Sequence, residues 1–240
     1  MKECVVALMT AKGINTLNRK NLLPVSGHPL MWYPSTAAKR APEVEHFYCS
    51  SDSQEILDLT SLIGYKPIVR PDYLALPQSQ HVDAIKHALG VMKTDGVVPS
   101  IIVVLLGNTV FLKTSWVSFA VNELIKDPLL DSVAACYQEQ DQHPFRARKL
   151  DANGYLVPYF DFGGQKISTN RQDLPANYYF SHNFWAIRLK NGELPSEGLQ
   201  PWTFMGMRVK PLLVDEGFDV HTAADLIKCE EWLTENNVFD

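Results

Sequence analysis

The sequence lacks an excess of basic residues and a long apolar segment, and each absence argues against a class of protein. Its 240 residues include 22 lysines and arginines against 27 aspartates and glutamates, a formal net charge of −5. Nucleic-acid or membrane-surface binding usually requires a basic patch, so this balance gives neither any support. The longest strongly apolar run spans residues 101–106, far short of the ~20 residues that a membrane-spanning helix needs.

Cysteine is also scarce. The four cysteines lie far apart in apolar stretches and form no C-x-x-C motif, which favours reduced, buried thiols over disulfides. The first apolar run is too short for a signal peptide. We therefore expect a cytoplasmic protein with one large domain, or with one domain and a smaller insert.

Several motifs that bind nucleotides or mark hydrolases are missing. The sequence contains no G-x-x-x-x-G-K-[ST] phosphate loop and no G-x-G-x-x-G after its first predicted strand. It also contains no G-x-S-x-G and no H-E-x-x-H. These absences disfavour Walker-type nucleotide binding, dinucleotide binding and two classes of hydrolase.

Short apolar runs alternate with helical patterns through the first half of the chain. The predicted strands span residues 4–9, 46–50, 66–69, 101–106 and 132–137, and the predicted helices span 29–40, 53–63, 80–92 and 114–125. Asp52 and Glu55 have the spacing of a capping box at the start of one helix. This alternation predicts an α/β fold with a mostly parallel sheet, whose ligands bind at the carboxyl ends of the strands.

The alternation stops at residue 138 and resumes after residue 185. Residues 138–185 are rich in polar and aromatic residues without helical periodicity, and we interpret them as an insert with β-hairpin character. Residues 1–137 and 186–240 would then form the core. The core ends with a predicted strand at 209–214 and a helix at 222–233, at whose start Thr222 and Asp225 also have the spacing of a capping box. An apolar edge of the insert is available for packing and consists of Tyr155, Leu156, Val157, Tyr159 and Phe160.

A polar loop directly follows the first predicted strand. Residues 10–21 contain three cations, Lys12, Arg19 and Lys20. Lysines, an arginine and backbone N–H groups at this position are suited to a polyphosphate. A solvated loop with ordinary surface lysines is an equally open interpretation of the composition.

Several short motifs resemble the acylneuraminate and 3-deoxyoctulosonate cytidylyltransferases, in the order of that family and over nearly the whole chain. The first are Leu-Asn-Arg-Lys-Asn at 17–21 and Pro-Val-Ser-Gly-His-Pro-Leu at 24–30. The others are Ser-Asp-Ser at 51–53, Arg-Pro at 70–71, His-Pro-Phe-Arg at 143–146, Arg-Gln-Asp-Leu-Pro at 171–175 with Asn183 beyond it, and Phe-Asp-Val-His-Thr at 218–222.

The resemblance implies a Rossmann-like nucleotidyltransferase fold with a small β-rich dimerisation insert. It implies transfer of CMP from CTP to the anomeric hydroxyl of a 2-keto-3-deoxy sugar acid, with release of pyrophosphate, in glycan biosynthesis. Mg²⁺ is the implied cofactor, with Mn²⁺ as a further option, and a homodimer is the implied assembly.

The resemblance also implies roles for individual residues. Lys12 and Lys20 are the implied catalytic residues, and they bind the nucleotide together with Asn21, Arg70, Gln80 and His81. The implied sugar-acid ligands are Asn108, Arg146, Arg171 and Asn183. The two arginines suit the carboxylate of the acid, because a guanidinium binds a carboxylate in bidentate fashion. Asp219 and His221 stand at the metal-binding positions, although imidazole is a poor ligand for Mg²⁺.

The sequence departs from the family at four places. The first loop is one residue shorter than the family motif and has Lys12 where the family has an arginine. Gln80 and His81 replace small hydroxyl residues, Gly107-Asn108-Thr109 stands where the family often has Q-P-T, and His221 replaces a carboxylate. Two other interpretations therefore stay open. One is a non-catalytic nucleotide-binding protein on the same fold, and the other is a nucleotidyltransferase for another base or acceptor.

Overall fold

The computed structural model of the chain describes residues 3–13, 17–215 and 217–236 and contains a central β-sheet covered by helices. The strands are β1 (Val5–Thr10), β2 (Pro24–Val25), β3 (His28–Pro29), β4 (His46–Ser51), β5 (Lys66–Val69), β6 (Ile101–Leu106), β7 (Ser132–Gln138), β8 (Arg148–Leu150), β9 (Leu156–Pro158), β10 (Tyr178–Arg188) and β11 (Val209–Leu213). The helices are α1 (Trp32–Lys39), α2 (Gln54–Ile63), α3 (His81–Thr94), α4 (Thr114–Lys126) and α5 (Ala223–Glu235). Within the described residues, no helix combines the length and the apolar character that crossing a membrane requires.

The central sheet has seven strands in the order β11-β7-β10-β6-β1-β4-β5. Its neighbouring strands are parallel except where β10 pairs with β6 and β7. The predicted α/β fold with a mostly parallel sheet is confirmed. Because β1, β4, β5 and β6 run in the same direction, their carboxyl ends meet at one edge of the sheet, where ligands of such sheets bind.

Helices cover both faces of the sheet. Met9 and Val103 lie on the face that α1, α2 and α4 cover. On the opposite face, Ile85 and Met92 of α3 pack against Ile102. Burying one such side chain completely contributes about 1.5–3 kcal/mol, so these contacts hold the strand ends in place around the site.

The two predicted capping boxes have different outcomes. At the start of α5, Thr222 and Asp225 bind each other's backbone N–H groups, as expected. Asp52 and Glu55 do not form a capping box at the start of α2, so that prediction is wrong. The Asp52 carboxylate instead accepts a hydrogen bond of 3.0 Å from the N–H of Gly13, in the loop after β1.

The segment predicted as an insert contains both a hairpin and a strand of the sheet. β8 and β9 pair in antiparallel fashion, which agrees with the expected hairpin character. β10 begins inside the predicted insert and pairs with β6 and β7 in the sheet. Of the predicted insert, only residues 139–177 therefore lie outside the strands of the central sheet. The register between β10 and β7 shifts between Phe180 and Trp185.

Asn183 lies within this irregular part of β10 and is fully buried. Its Nδ2 donates a hydrogen bond of 2.7 Å to the Phe111 carbonyl, and its Oδ1 accepts one of 2.8 Å from the N–H of Phe184. Both ends of the amide are thus engaged with backbone. The resemblance implied a sugar-acid role for Asn183, and in the structure its side chain is hydrogen-bonded to the backbone of Phe111 and Phe184.

Replacing Asn183 by alanine is expected to lower the free energy of unfolding by about 1–3 kcal/mol, because a buried carbonyl and a buried N–H each lose a partner. Chemical denaturation measures this loss. Asn153→Ala is the control, since Asn153 is exposed in the turn between β8 and β9 and is expected to stay within about 0.5 kcal/mol of the wild type. Equal stability of the two variants would contradict the structural role of Asn183.

Candidate functional site

A cleft opens where β1 and β6 end, and Thr10, Leu106 and Gly107 form part of its lining. It also contains Asn108 and every residue that the sequence assigned to the nucleotide, namely Lys12, Lys20, Asn21, Arg70, Gln80 and His81. These residues come from five separate segments of the chain. The fold therefore brings the predicted nucleotide-binding residues together at the edge of the sheet where ligands are expected.

The loop after β1 supplies the two lysines. Lys20 and Asn21 begin one turn of 3-10 helix, and both are buried. Asn21 Nδ2 donates a hydrogen bond of 2.9 Å to the Lys12 carbonyl, which ties the two ends of the loop together. Residues 14–16 of the predicted phosphate-binding loop lie outside the described residues.

Arg70 follows β5 and is only 2% exposed. Its Nη2 donates to the Ser50 carbonyl at 2.7 Å, and its Nε donates to the Ser50 hydroxyl at 3.2 Å. Over residues 3–13, 17–215 and 217–236, no ion pair joins this guanidinium to a carboxylate. A buried charge is costly unless it is paired, so an anion in the cleft would stabilise Arg70.

Both lysines of the cleft have a lowered pKa. Burial lowers the pKa of Lys20, against the opposing effect of the Asp219 and Asp225 carboxylates. Burial also lowers the pKa of Lys12, and the positive charge of Arg70 lowers it further. A phosphate group in the cleft would favour the charged form of both side chains. The cleft therefore has the electrostatics of an anion site.

Two polar residues lie at the start of α3. His81 Nε2 is 2.9 Å from the Thr10 hydroxyl, and the imidazole ring packs 5.5 Å from the ring of Trp185. Burial lowers the pKa of His81 to about 4, with further contributions from the charges of Arg70 and Lys12. The side chain of Gln80 is exposed, and its Nε2 donates a hydrogen bond to the Gln78 carbonyl in its own loop.

Asp219 reaches the cleft through Asn108. Asn108 Nδ2 donates a hydrogen bond of 2.6 Å to Asp219 Oδ2, and the Asn108 carbonyl accepts the N–H of Val220 at 2.8 Å. His221 Nε2 lies 3.0 Å from Asp219 Oδ1. His221 therefore contacts the carboxylate of Asp219 through Nε2.

The two arginines assigned to the sugar acid lie outside the cleft. Arg171 is exposed and forms an ion pair with Asp141. Arg146 is also exposed, and its Nη1 lies 3.4 Å from the Asp141 carbonyl. His143 is buried between backbone groups, as expected for a structural residue. The structure thus groups the arginines with each other and not with the lysines of the nucleotide site.

Thr10 lines the cleft and Ser50 binds Arg70 beside it, although no motif in the sequence points to either residue. Thr10 is the last residue of β1, and Ser50 is the next-to-last residue of β4. Their positions at the carboxyl ends of parallel strands are the signal that could have identified them.

Comparison with known families identifies the family of the chain. The model of a family described as cytidylyltransferases matches residues 15–191, which is more than half of the chain. The chain belongs to the cytidylyltransferase family. It is therefore a nucleotidyltransferase, as the resemblance of its motifs implied. No curated protein matches the sequence.

Solved structures of two cytidylyltransferases share the fold. One is CMP:2-keto-3-deoxy-manno-octonic acid synthetase complexed with CTP, at a TM-score of 0.68 and 17% identity, over 97% of this chain and 99% of that chain. The other is 4-diphosphocytidyl-2C-methyl-D-erythritol synthase from Anaerococcus prevotii DSM 20548, at 0.61 and 12%, over 97% of both chains. At these identities the likeness shows the fold, and it leaves the acceptor open.

Replacing Arg70 by methionine is expected to raise the Kd for CTP by about 10- to 100-fold, the range for hydrogen bonds to a charged group. The free energy of unfolding of the unliganded protein should change little, because the cost of burying the charge disappears as well. Calorimetric titration and thermal unfolding measure the two effects. Arg148→Met, at an exposed arginine of the hairpin, is the control, and an unchanged Kd for Arg70→Met would contradict the assignment.

Proposed function

We propose that this cytidylyltransferase transfers CMP from CTP to the anomeric hydroxyl of a 2-keto-3-deoxy sugar acid and releases pyrophosphate. The observation that supports CTP binding best is the buried guanidinium of Arg70, which forms no direct ion pair among the described residues and shares the cleft with Lys12 and Lys20. The Asp52 carboxylate attracts this charge only from a greater distance. Three cations in one cleft match the charge of a triphosphate.

The residues of the cleft act by positioning and by neutralising charge. The acceptor oxygen bonds to the α-phosphorus while the bond from that phosphorus to the bridging oxygen breaks, and pyrophosphate departs with the bonding electrons. The acceptor hydroxyl loses its proton to water. Lys12 and Lys20 balance the negative charge on the phosphates as it shifts toward the leaving group, which is the largest contribution in reactions of this class.

A carboxylate suited to Mg²⁺ lies at the border of the cleft, where Asp219 contacts Asn108. Mg²⁺ in nucleotide sites is held by one or two carboxylates together with substrate phosphates and water. Asp219 is a partly exposed carboxylate that Asn108 and His221 hold in one orientation. We propose that Asp219 is the protein ligand and that His221 positions it. The ion, when bound, would neutralise phosphate charge and so assist departure of pyrophosphate.

A second acceptor class has support from the positions of Arg146 and Arg171. These side chains are the ones assigned to the carboxylate of a sugar acid, and both lie on the surface near Asp141. An alcohol without a carboxylate would not need them in the cleft. The fold also occurs in 4-diphosphocytidyl-2C-methyl-D-erythritol synthase, so a phosphorylated alcohol is the second candidate acceptor.

Pyrophosphate release tests the proposed reaction. The wild-type protein is incubated with CTP, Mg²⁺ or Mn²⁺, and either a panel of eight- and nine-carbon 2-keto-3-deoxy acids or a panel of phosphorylated sugar alcohols. Release should depend on one acid, and Asp219→Ala should lower it by at least about 100-fold, the scale for removing a charge-stabilising group from a transition state. Asp161→Ala, on an exposed loop, is the matched control.

Two results would contradict the sugar-acid proposal. Release that depends on a phosphorylated alcohol would favour the second acceptor class. CTP binding without release for any acceptor would favour a nucleotide-binding protein that performs no chemistry.

We also propose that residues 139–177, the hairpin segment that contains β8 and β9, form a homodimer interface. Its exposed apolar side chains are Leu150, Tyr155, Leu156, Tyr159 and Phe160. An exposed apolar cluster of this kind often marks an interaction site. The proposal extends the expected apolar edge of the insert, and a second copy of the chain is the occupant that the family resemblance implies.

Substituting Leu156 by glutamate is expected to convert the dimer to a monomer, because it would bury a charge at the interface. Light scattering coupled to size-exclusion chromatography measures the mass. Leu62→Glu is the control, since Leu62 is exposed on α2, away from the hairpin. A wild-type protein that elutes as a monomer at micromolar concentration would contradict the interface.

A further inference from the structure

The hydroxyl of Thr10 links His81 to the central strand β6. Thr10 Oγ1 donates a hydrogen bond of 3.1 Å to the Leu105 carbonyl. The same oxygen lies 2.9 Å from His81 Nε2. A hydroxyl has a single hydrogen. Both contacts are hydrogen bonds only when Thr10 donates this hydrogen to the Leu105 carbonyl and accepts from His81.

This arrangement fixes the tautomer of His81. Nε2 must carry the ring proton in order to donate to Thr10, and a neutral imidazole has only one such proton. Nδ1 is then a hydrogen-bond acceptor. Within the described part of the chain, the Thr10 contact is the only hydrogen bond of the His81 ring.

The surroundings of His81 keep the ring neutral and oriented. Burial lowers the pKa of His81 to about 4, and the charges of Arg70 and Lys12 lower it in the same direction. A second proton on Nδ1 is therefore disfavoured at neutral pH. Contact with the Trp185 ring at 5.5 Å holds the plane of the imidazole, and His81 borders the cleft that contains both lysines.

An acceptor fixed in this position favours a base that presents an amino group. Cytosine has a 4-amino group, which can donate to Nδ1. Uracil has a carbonyl oxygen at the same place, which would meet the Nδ1 lone pair as a second acceptor. One base would form a hydrogen bond with Nδ1, and the other would place two acceptors against each other. The free-energy difference between these two cases is large enough for a binding site to distinguish the bases.

We infer that His81 is the residue that selects cytosine over uracil, through an Nδ1 acceptor whose tautomer is set by Thr10 and the Leu105 carbonyl. The inference deepens the proposed function and rests on its nucleotide site. It assigns Thr10 as a positioning residue that acts through His81.

The test measures nucleotide binding without any acceptor, so it is independent of turnover. Calorimetric titration gives the Kd for CTP and for UTP with the wild type, His81→Phe and Thr10→Val. The wild type should bind CTP at least about tenfold more tightly than UTP. His81→Phe should remove most of that ratio, mainly by weakening CTP, and Thr10→Val should reduce it in part.

His87→Phe is the matched control, because His87 lies on the same helix and does not border the cleft. Its ratio of Kd values should equal that of the wild type. A ¹⁵N spectrum of the wild-type histidine rings provides a second measurement that does not depend on how the variants fold. The signals of His81 should show a protonated Nε2 and an unprotonated Nδ1.

Two results would overturn the inference. These are a His81 ring protonated on Nδ1, and a CTP-to-UTP ratio that His81→Phe leaves unchanged. If that ratio is unchanged while pyrophosphate is still released from CTP, the inference fails and the proposed function stands. If the ratio depends on His81 but no acid supports release, the proposed acceptor fails and the inference stands.

Discussion

Arg70 keeps a positive charge buried at the end of β5, where Ser50 accepts two hydrogen bonds from its guanidinium. This charge influences the other polar groups of the cleft. It lowers the pKa of Lys12 and helps to keep His81 neutral. An anion bound beside Arg70 would reverse its effect on Lys12, so binding of a triphosphate is favoured by every cation in the cleft together.

The sheet provides the rigidity that such an arrangement requires. β1 and β6 are buried neighbours, and their last residues are paired as Thr10 with Leu106. The chain beyond β6 then holds Asp219 through Asn108. A few hydrogen bonds thus place a carboxylate, an imidazole and the cationic loop around one strand end. Their geometry therefore depends on the core more than on the loops themselves.

Much of the fold and of the nucleotide side of the site could be predicted from the sequence. Alternating apolar runs and helical patterns indicate a parallel sheet, and residues at the ends of such strands must meet, as Lys12, Arg70 and Asn108 do. Resemblance to a family assigns roles to positions, but it does not say which hydrogen bonds each side chain makes. Asn183 is an example, because its amide is engaged with the backbone of Phe111 and Phe184.

The capping prediction for Asp52 was wrong for a related reason. Helix-cap spacing is a local signal, whereas Gly13 is 39 residues away in sequence and competes for the same carboxylate. β10 gives a second example. No helix pattern precedes it in the sequence as one precedes a parallel strand, and in the sheet it runs antiparallel to β6 and β7. Contacts between distant segments decide both cases, and no local pattern encodes them.

The two halves of the site are built in different ways, and this difference bears on the acceptor. The nucleotide half consists of buried groups held by the sheet, such as Arg70 and Lys20. The arginines proposed for the acceptor are exposed on the segment that leaves the sheet, where Asp141 neutralises Arg171. A substrate carboxylate would have to replace Asp141 as the partner of Arg171. Because one carboxylate would replace another, the number of ion pairs would not increase. Under the sugar-acid proposal, these arginines would therefore add little to the affinity for the acceptor, in contrast to the buried cations of the nucleotide half.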